Sequence, residues 1–144
     1  YRMTEVQAAL GISQMDRLSD FVCQRNSLAR RYDELLAHLP LVTPWHHPDG
    51  YSARHLYIIR LDLEHTKKTH REIFLALREG GVGVNLHYIP VHIQPWYTKM
   101  GFLPDDFPNA MAYYSEAISI PLYATLDECG QDQVVSVLSK VLAA

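Results

Sequence analysis

Two imidazoles, an amide and three aromatic rings share one short stretch, His87-Tyr88-Ile89-Pro90-Val91-His92-Ile93-Gln94-Pro95-Trp96-Tyr97. Imidazole is the side chain whose proton moves near neutral pH. Flat rings supply contact area, while His and Gln fix hydroxyls. The combination suits a pocket for a polar, ring-bearing ligand, with His87, Tyr88, His92 and Tyr97 as its candidate lining. A loop packed on its own aromatics would carry the same composition.

The chain has eight histidines, and the other six read more simply. His46 and His47 are adjacent in a Pro-flanked loop, where neighbouring side chains point opposite ways. His38, His65 and His70 fall near helix ends, without the His-Glu-x-x-His spacing of a zinc site. All five read as solvated surface, and His55 opens a strand. No metal site is expected; a metal enzyme built on His46, His47, His55 or His92 is the alternative that metal analysis would reveal.

No nucleophile has a local partner. There is no Gly-x-Ser-x-Gly, and Cys23 and Cys129 stand alone. Cys23 falls on the apolar side of a helix and is expected to be buried. Gly80-Gly81-Val82-Gly83 ends a helix instead of opening one, the wrong context for a phosphate loop. Lys67, Lys68, Lys99 and Lys140 read as solvated. Arg2 precedes a helix start, where its guanidinium and the free helix N–H groups could converge on one anion. No catalytic arrangement stands out among these residues.

The elements that must position these residues are legible in part. Thr4 to Gln7 has the spacing of a capping box. From there residues 5–39 read as one long helix, with Leu18, Phe21, Val22, Leu28, Tyr32, Leu35, Leu36 and Leu39 on one stripe. Gly11 is its weak point and Pro40 its stop. At about 50 Å such a helix outspans a domain of this size. A helix that opens with so little lead-in is expected of the C-terminal piece of a longer protein; a natural domain edge is the alternative.

Residues 40–54 read as loop, His55 to Leu61 as a strand, and Thr66 to Glu79 as a helix stopped by Gly80-Gly81. Val82 to Tyr88 alternates like a half-buried strand. Residues 89–108 read as a long loop of the kind that is often functional, and Asn109 to Glu116 as a short helix. Ile118 to Leu122 reads as an edge strand, or the end of one, because of Pro121. Thr125 to Glu128 reads as a second capping box before a terminal helix. The fold class expected is α+β, about three strands with helices on one face, preceded by the long helix. As domains, 1–144 is a single small unit with a connecting helix over 4–39 and a core over 55–144.

Composition excludes several classes. At 144 residues with 48% hydrophobic and 20% charged residues, the chain is an ordinary globular domain. A net charge of −3 lacks the footprint of a non-specific nucleic-acid binder. No apolar run is long enough for a membrane span. Two cysteines make no disulfide scaffold, so a reducing compartment, the cytoplasm, is expected.

Several stretches together resemble the DegT/DnrJ/StrS-type sugar aminotransferases, which use pyridoxal phosphate. Tyr1-Arg2-Met3-Thr4-Glu5-Val6-Gln7-Ala8-Ala9 is similar to the family's N-Y-R-M-[ST]-[ED]-x-Q-A-A signature. Ser52 to Tyr57 resembles its S-x-x-H-L-Y strand, and Val84 to Tyr97 its H-Y-x-P-[VL]-H-x-Q-P-x-Y loop. Phe107-Pro108-Asn109-Ala110, Ile120-Pro121-Leu122 and Thr125-Leu126 also fit. The form of residues 87–97 resembles most the branch that serves pseudaminic acid biosynthesis.

The resemblance implies the C-terminal small domain of a fold type I aminotransferase. The large domain, with its Schiff-base lysine, would lie before Tyr1. Tyr1 and Arg2 would sit beside the cofactor phosphate at a homodimer interface, with Arg2 holding that phosphate or the amino donor's carboxylate. His87, Tyr88, His92 and Tyr97 would line the nucleotide-sugar pocket. The full-length enzyme would bind pyridoxal phosphate and move an amino group from an amino acid, glutamate by expectation, to a 4-keto-6-deoxy sugar nucleotide. The chain alone would be inactive and would not retain the cofactor. The alternative is a non-catalytic module that binds a nucleotide sugar or a protein.

Overall fold

The computed structural model describes residues 2–143, so the expectation for Tyr1 lies outside the described residues. Six helices and four strands are laid down as α1 (Glu5–Met15), α2 (Leu18–Leu36), β1 (Leu41–Val42), β2 (Tyr57–Leu61), α3 (His70–Glu79), β3 (Asn85–Leu86), α4 (Pro95–Lys99), α5 (Pro108–Glu116), β4 (Ala117–Ile120) and α6 (Glu128–Ala143). The sheet runs β1-β2-β4-β3 and is antiparallel throughout. The class is mixed, as expected, but with four strands instead of three. The extra one is β1, two residues whose pairing with Leu61 and Arg60 leaves no sequence period to read.

The core lies on one face of the sheet. Tyr57, Ile59 and Leu61 alternate inward along β2, and Ile118 and Ile120 do so along β4. Tyr32 and Leu36 of α2, Ile73 and Leu77 of α3, and Val134 and Leu138 of α6 close over them. Each fully buried side chain of this size contributes about 1.5–3 kcal/mol. Two phenols are anchored at the helix–sheet seam. Tyr32 donates to the Pro121 carbonyl at 3.0 Å and Tyr57 donates to Asp33 Oδ1 at 2.6 Å. The Tyr57 phenol is held well above its ordinary pKa, by burial first and by the Asp33 carboxylate second.

The long helix is not one element. The Thr4–Gln7 capping box forms as expected, but the helix kinks at Asp16-Arg17, with Arg17 at φ −103° and ψ 2°, and not at Gly11. Only α2 joins the core, and Cys23 is exposed, not buried. The stripe upstream of Phe21 has no partner within the described residues.

Other boundaries shift for local reasons. The α3 start moves to Thr69, whose hydroxyl and the Glu72 side chain make a reciprocal box that outcompetes Thr66. Its end is a Schellman motif: Val82 N–H meets Leu77 O at 3.0 Å, Gly81 N–H meets Arg78 O at 3.0 Å, and Gly81 adopts φ +82°. That turn uses up Val82, so only Asn85-Leu86 of the expected 82–88 strand pairs. α6 is capped by Asp127, which accepts from Gly130 N–H at 2.8 Å, not by Thr125. β4 is interior, between β2 and β3, and Pro121 lies just beyond its end. Among the described residues no helix is long and apolar enough to cross a membrane.

Candidate functional site

The opposite face of the sheet carries Ile58 and Arg60 from β2 and Ala117 and Ser119 from β4. It is covered only in part. β3 ends at Leu86 and delivers His87 over Ser119, so that imidazole Nε2 and the Ser119 hydroxyl share a hydrogen bond of 3.0 Å. Tyr113, near the end of α5, meets the same imidazole edge-on at 5.5 Å between centroids. Burial there pushes the His87 pKa below its ordinary value. Its neutral form therefore dominates at pH 7, with one nitrogen committed to Ser119.

Residues 89–108 are not a structureless loop. They fold into a short 3-10 turn (Val91–Ile93), α4, and a second 3-10 turn (Pro104–Asp106). Pro95 occupies the first turn of α4, where its missing N–H is harmless. Inside this segment His92 is buried, 4.8 Å from the Phe107 ring, with Nε2 3.4 Å from the Pro104 carbonyl. Phe102 continues the cluster between Tyr97 and Phe107.

The four candidates separate into two adjoining depressions. One, of about 360 Å³, is lined by His87 and Tyr88 together with Tyr113 and Tyr114 of α5. The other, of about 370 Å³, is walled by His92, Tyr97, Phe102 and Phe107. Pro90, Val91 and Ala110 border both. Tyr88 is 92% exposed, so its ring stands free at the rim. A third hollow, lined by Trp45, Ile58 and Arg60, reaches the first across Tyr113. The sequence reading missed the whole α5 wall. Ala110, Tyr113 and Tyr114 recur at helical spacing, which was the available signal.

Arg2 is exposed ahead of α1. The α1 terminus beside it is already capped, because Thr4 Oγ1 accepts from Gln7 N–H and Gln7 Oε1 accepts from Thr4 N–H. No lysine borders the three depressions, and Lys68 spends its ammonium on the Val141 carbonyl at 2.8 Å. Arg2 is thus an exposed cation beside an already capped helix start, and the three hollows offer no lysine as a covalent anchor. Among the described residues no cluster of His, Cys, Asp or Glu has metal-binding geometry.

Comparison with known proteins places the chain in a family. The family profile described as the DegT/DnrJ/EryC1/StrS aminotransferase family matches residues 1–139. The spore coat polysaccharide biosynthesis protein SpsC of Bacillus subtilis is 39% identical over 143 residues, 97% of this chain and 37% of SpsC. A Streptococcus pneumoniae protein described as a sugar aminotransferase, Spr1654, superposes in its PMP form with a TM-score of 0.87 at 29% identity, over 99% of this chain and 36% of its own. Helicobacter pylori PseC, an aminotransferase of pseudoaminic acid biosynthesis, superposes at 0.88 and 26% identity, over 99% and 38%. The chain thus spans less than two fifths of the length of these relatives. It belongs to the DegT/DnrJ/EryC1/StrS aminotransferase family.

Proposed function

We propose that this chain is the substrate-side domain of a pyridoxal-phosphate-dependent sugar-nucleotide aminotransferase. It would act on a 4-keto-6-deoxy sugar nucleotide with an amino acid, glutamate in our reading, as donor. One observation carries this: His87 with Tyr88, and His92 with Tyr97, line two hollows that share a wall, in a chain that matches the family from residue 1 to residue 139. When bound, pyridoxal phosphate supplies the electron sink for amino transfer. The neutral imidazole of His87 offers its second nitrogen to a sugar hydroxyl. Tyr88 adds a phenol at the rim, and the aromatic hollow beside it takes the flat or apolar part of the ligand. Arg2, with Tyr1 beside it, holds an anion, the cofactor phosphate or the donor carboxylate.

The finer reading is UDP-4-amino-4,6-dideoxy-N-acetyl-beta-L-altrosamine as product, in the cytoplasm, by a homodimer. The form of residues 87–97 and the PseC likeness support it. The test is a chimera in which this chain replaces the matching stretch of SpsC. With glutamate and a UDP-4-keto-6-deoxy sugar, 2-oxoglutarate and an amino sugar should appear in equal amounts, and His87→Ala should raise KM at least tenfold. A folded chimera that aminates no keto sugar would overturn the reading.

A further inference from the structure

Arg54 carries two costs that nothing among the described residues offsets. Its backbone lies in the left-handed region, at φ +49°. Its Nε is shut off from water and has no hydrogen-bond partner. An arginine on a solvated surface shows neither feature, because its stem floats and its N–H groups reach water. The conformation is imposed from α2. Arg25 Nη1 donates to the carbonyls of Arg54 and His55, and the buried Asn26 donates to the Ser52 carbonyl. Ser52 Oγ accepts the Arg54 N–H at 3.1 Å. Strain persists where the surroundings over-determine it, and it collects at ligand clamps.

The guanidinium held in this way is uncompensated. Among the described residues neither Arg54 nor Arg25 forms an ion pair. The Arg54 charge reaches the Tyr57 phenol, yet the acid beside that phenol, Asp33, gives its Oδ1 to the Tyr57 hydroxyl at 2.6 Å. Only Nε is sealed; Nη1 and Nη2, also without partners among the described residues, stay accessible. We infer that this outer edge of Arg54 is a seat for an oxyanion, a carboxylate or a phosphate, whose two oxygens accept from Nη1 and Nη2. Arg25 and Asn26 are positioning residues. They fix the 52–55 backbone, so the guanidinium is ordered before the anion arrives and less rotamer entropy is lost on binding. The seat does not depend on the amino transfer proposed above.

The test titrates the isotope-labelled 144-residue chain with inorganic phosphate and, separately, with L-glutamate, at constant ionic strength. It follows the Arg54 Nε–H resonance by NMR, together with thermal unfolding. At least one anion should move that resonance along a curve that saturates in the millimolar range, and should raise the unfolding temperature. The tighter anion identifies the ligand's charged group. Arg54→Gly relieves the backbone strain, so that chain should unfold at no lower temperature, yet neither anion should stabilise it. Arg25→Met should weaken binding at least tenfold, while Lys67→Met, at an exposed lysine, leaves it unaltered. A response that never saturates, that chloride reproduces, or that survives in Arg54→Gly would overturn the seat. So would undiminished binding in Arg25→Met. Saturable binding in a chain that supports no amino transfer would sink the reaction and leave the seat standing.

Discussion

The His87 imidazole and the Ser119 hydroxyl meet at 3.0 Å across the β3–β4 pair, under the Tyr113 ring. Desolvation holds the His87 pKa below the usual value of about 6.5. Between the folded and unfolded pKa values the native state binds fewer protons than the unfolded chain. Stability from this site is therefore complete above about pH 6.5 and is lost as pH falls through the folded value. Proton NMR of the imidazole should titrate below the ordinary midpoint, and the fall in denaturant midpoint on acidification should flatten in His87→Asn. A His87 midpoint at or above the free imidazole value would contradict the burial.

Phe107 ties the 89–108 segment together, stacking near His92 at 4.8 Å and Phe102 at 6.2 Å. It is half-exposed, so Phe107→Ala should cost less than the 3–5 kcal/mol of a fully buried ring, about 1–2 kcal/mol. The larger effect should be local. Amide exchange across residues 90–106 should quicken while the β2–β4 amides stay protected. Uniform exchange would mean that the segment has no cluster of its own.

Among the described residues, Arg54 is the one whose backbone and side chain both disagree with their surroundings. It adopts φ +49°, alone among the described non-glycine residues, and its Nε is buried without a hydrogen-bond partner. It is held there by α2. Arg25 Nη1 donates to the Arg54 carbonyl at 3.1 Å and to the His55 carbonyl at 2.9 Å, and Asn26 Nδ2 donates to the Ser52 carbonyl at 2.8 Å. Left-handed backbone costs about 1–2 kcal/mol, and a buried unmet N–H about 1–3 kcal/mol. Arg54→Gly removes both against a chain-entropy loss of about 0.5–1 kcal/mol. It should raise stability by at least about 1 kcal/mol in urea unfolding, whereas Asn26→Ala should lower it by about 1–3 kcal/mol.

The sequence was most legible where one physical signal acted alone. Tyr32 and Leu36 on α2, and Val134 and Leu138 on α6, recur at helical spacing and are buried as that spacing requires. Legibility failed where local and tertiary signals competed. Val82 and Val84 are buried as in a strand, but the Schellman turn after α3 claims the backbone of Val82. The apolar stripe from Leu18 to Leu39 was readable, yet periodicity does not say what a stripe faces. Of the site, the residues of the 87–97 segment were readable from composition, but their division into two hollows depends on α5. No local pattern says that Tyr113 of α5 stands over His87.

Gly80 tests how closely α3 and α6 are fitted. Its backbone is ordinary, φ −72° and ψ 4°, so conformational freedom does not explain a glycine there. Space does: a Cβ at position 80 would overlap Val137 Cγ1 of α6, with the Ala76 carbonyl 3.3 Å away on the other side. Gly80→Ala gains about 0.5–1 kcal/mol of chain entropy but must push α6 off α3 or force Val137 from its rotamer. Overpacking of this kind costs about 1–3 kcal/mol, so the net change should be destabilising by about 1 kcal/mol. Val137→Ala removes the offending methyl and is itself mildly destabilising. In the double variant the two losses should not add; the coupling should be favourable by at least about 1 kcal/mol, because the alanine at 80 then fills space that Val137 vacated. Additive losses in urea unfolding would show that the α3–α6 seam yields more easily than its spacing indicates.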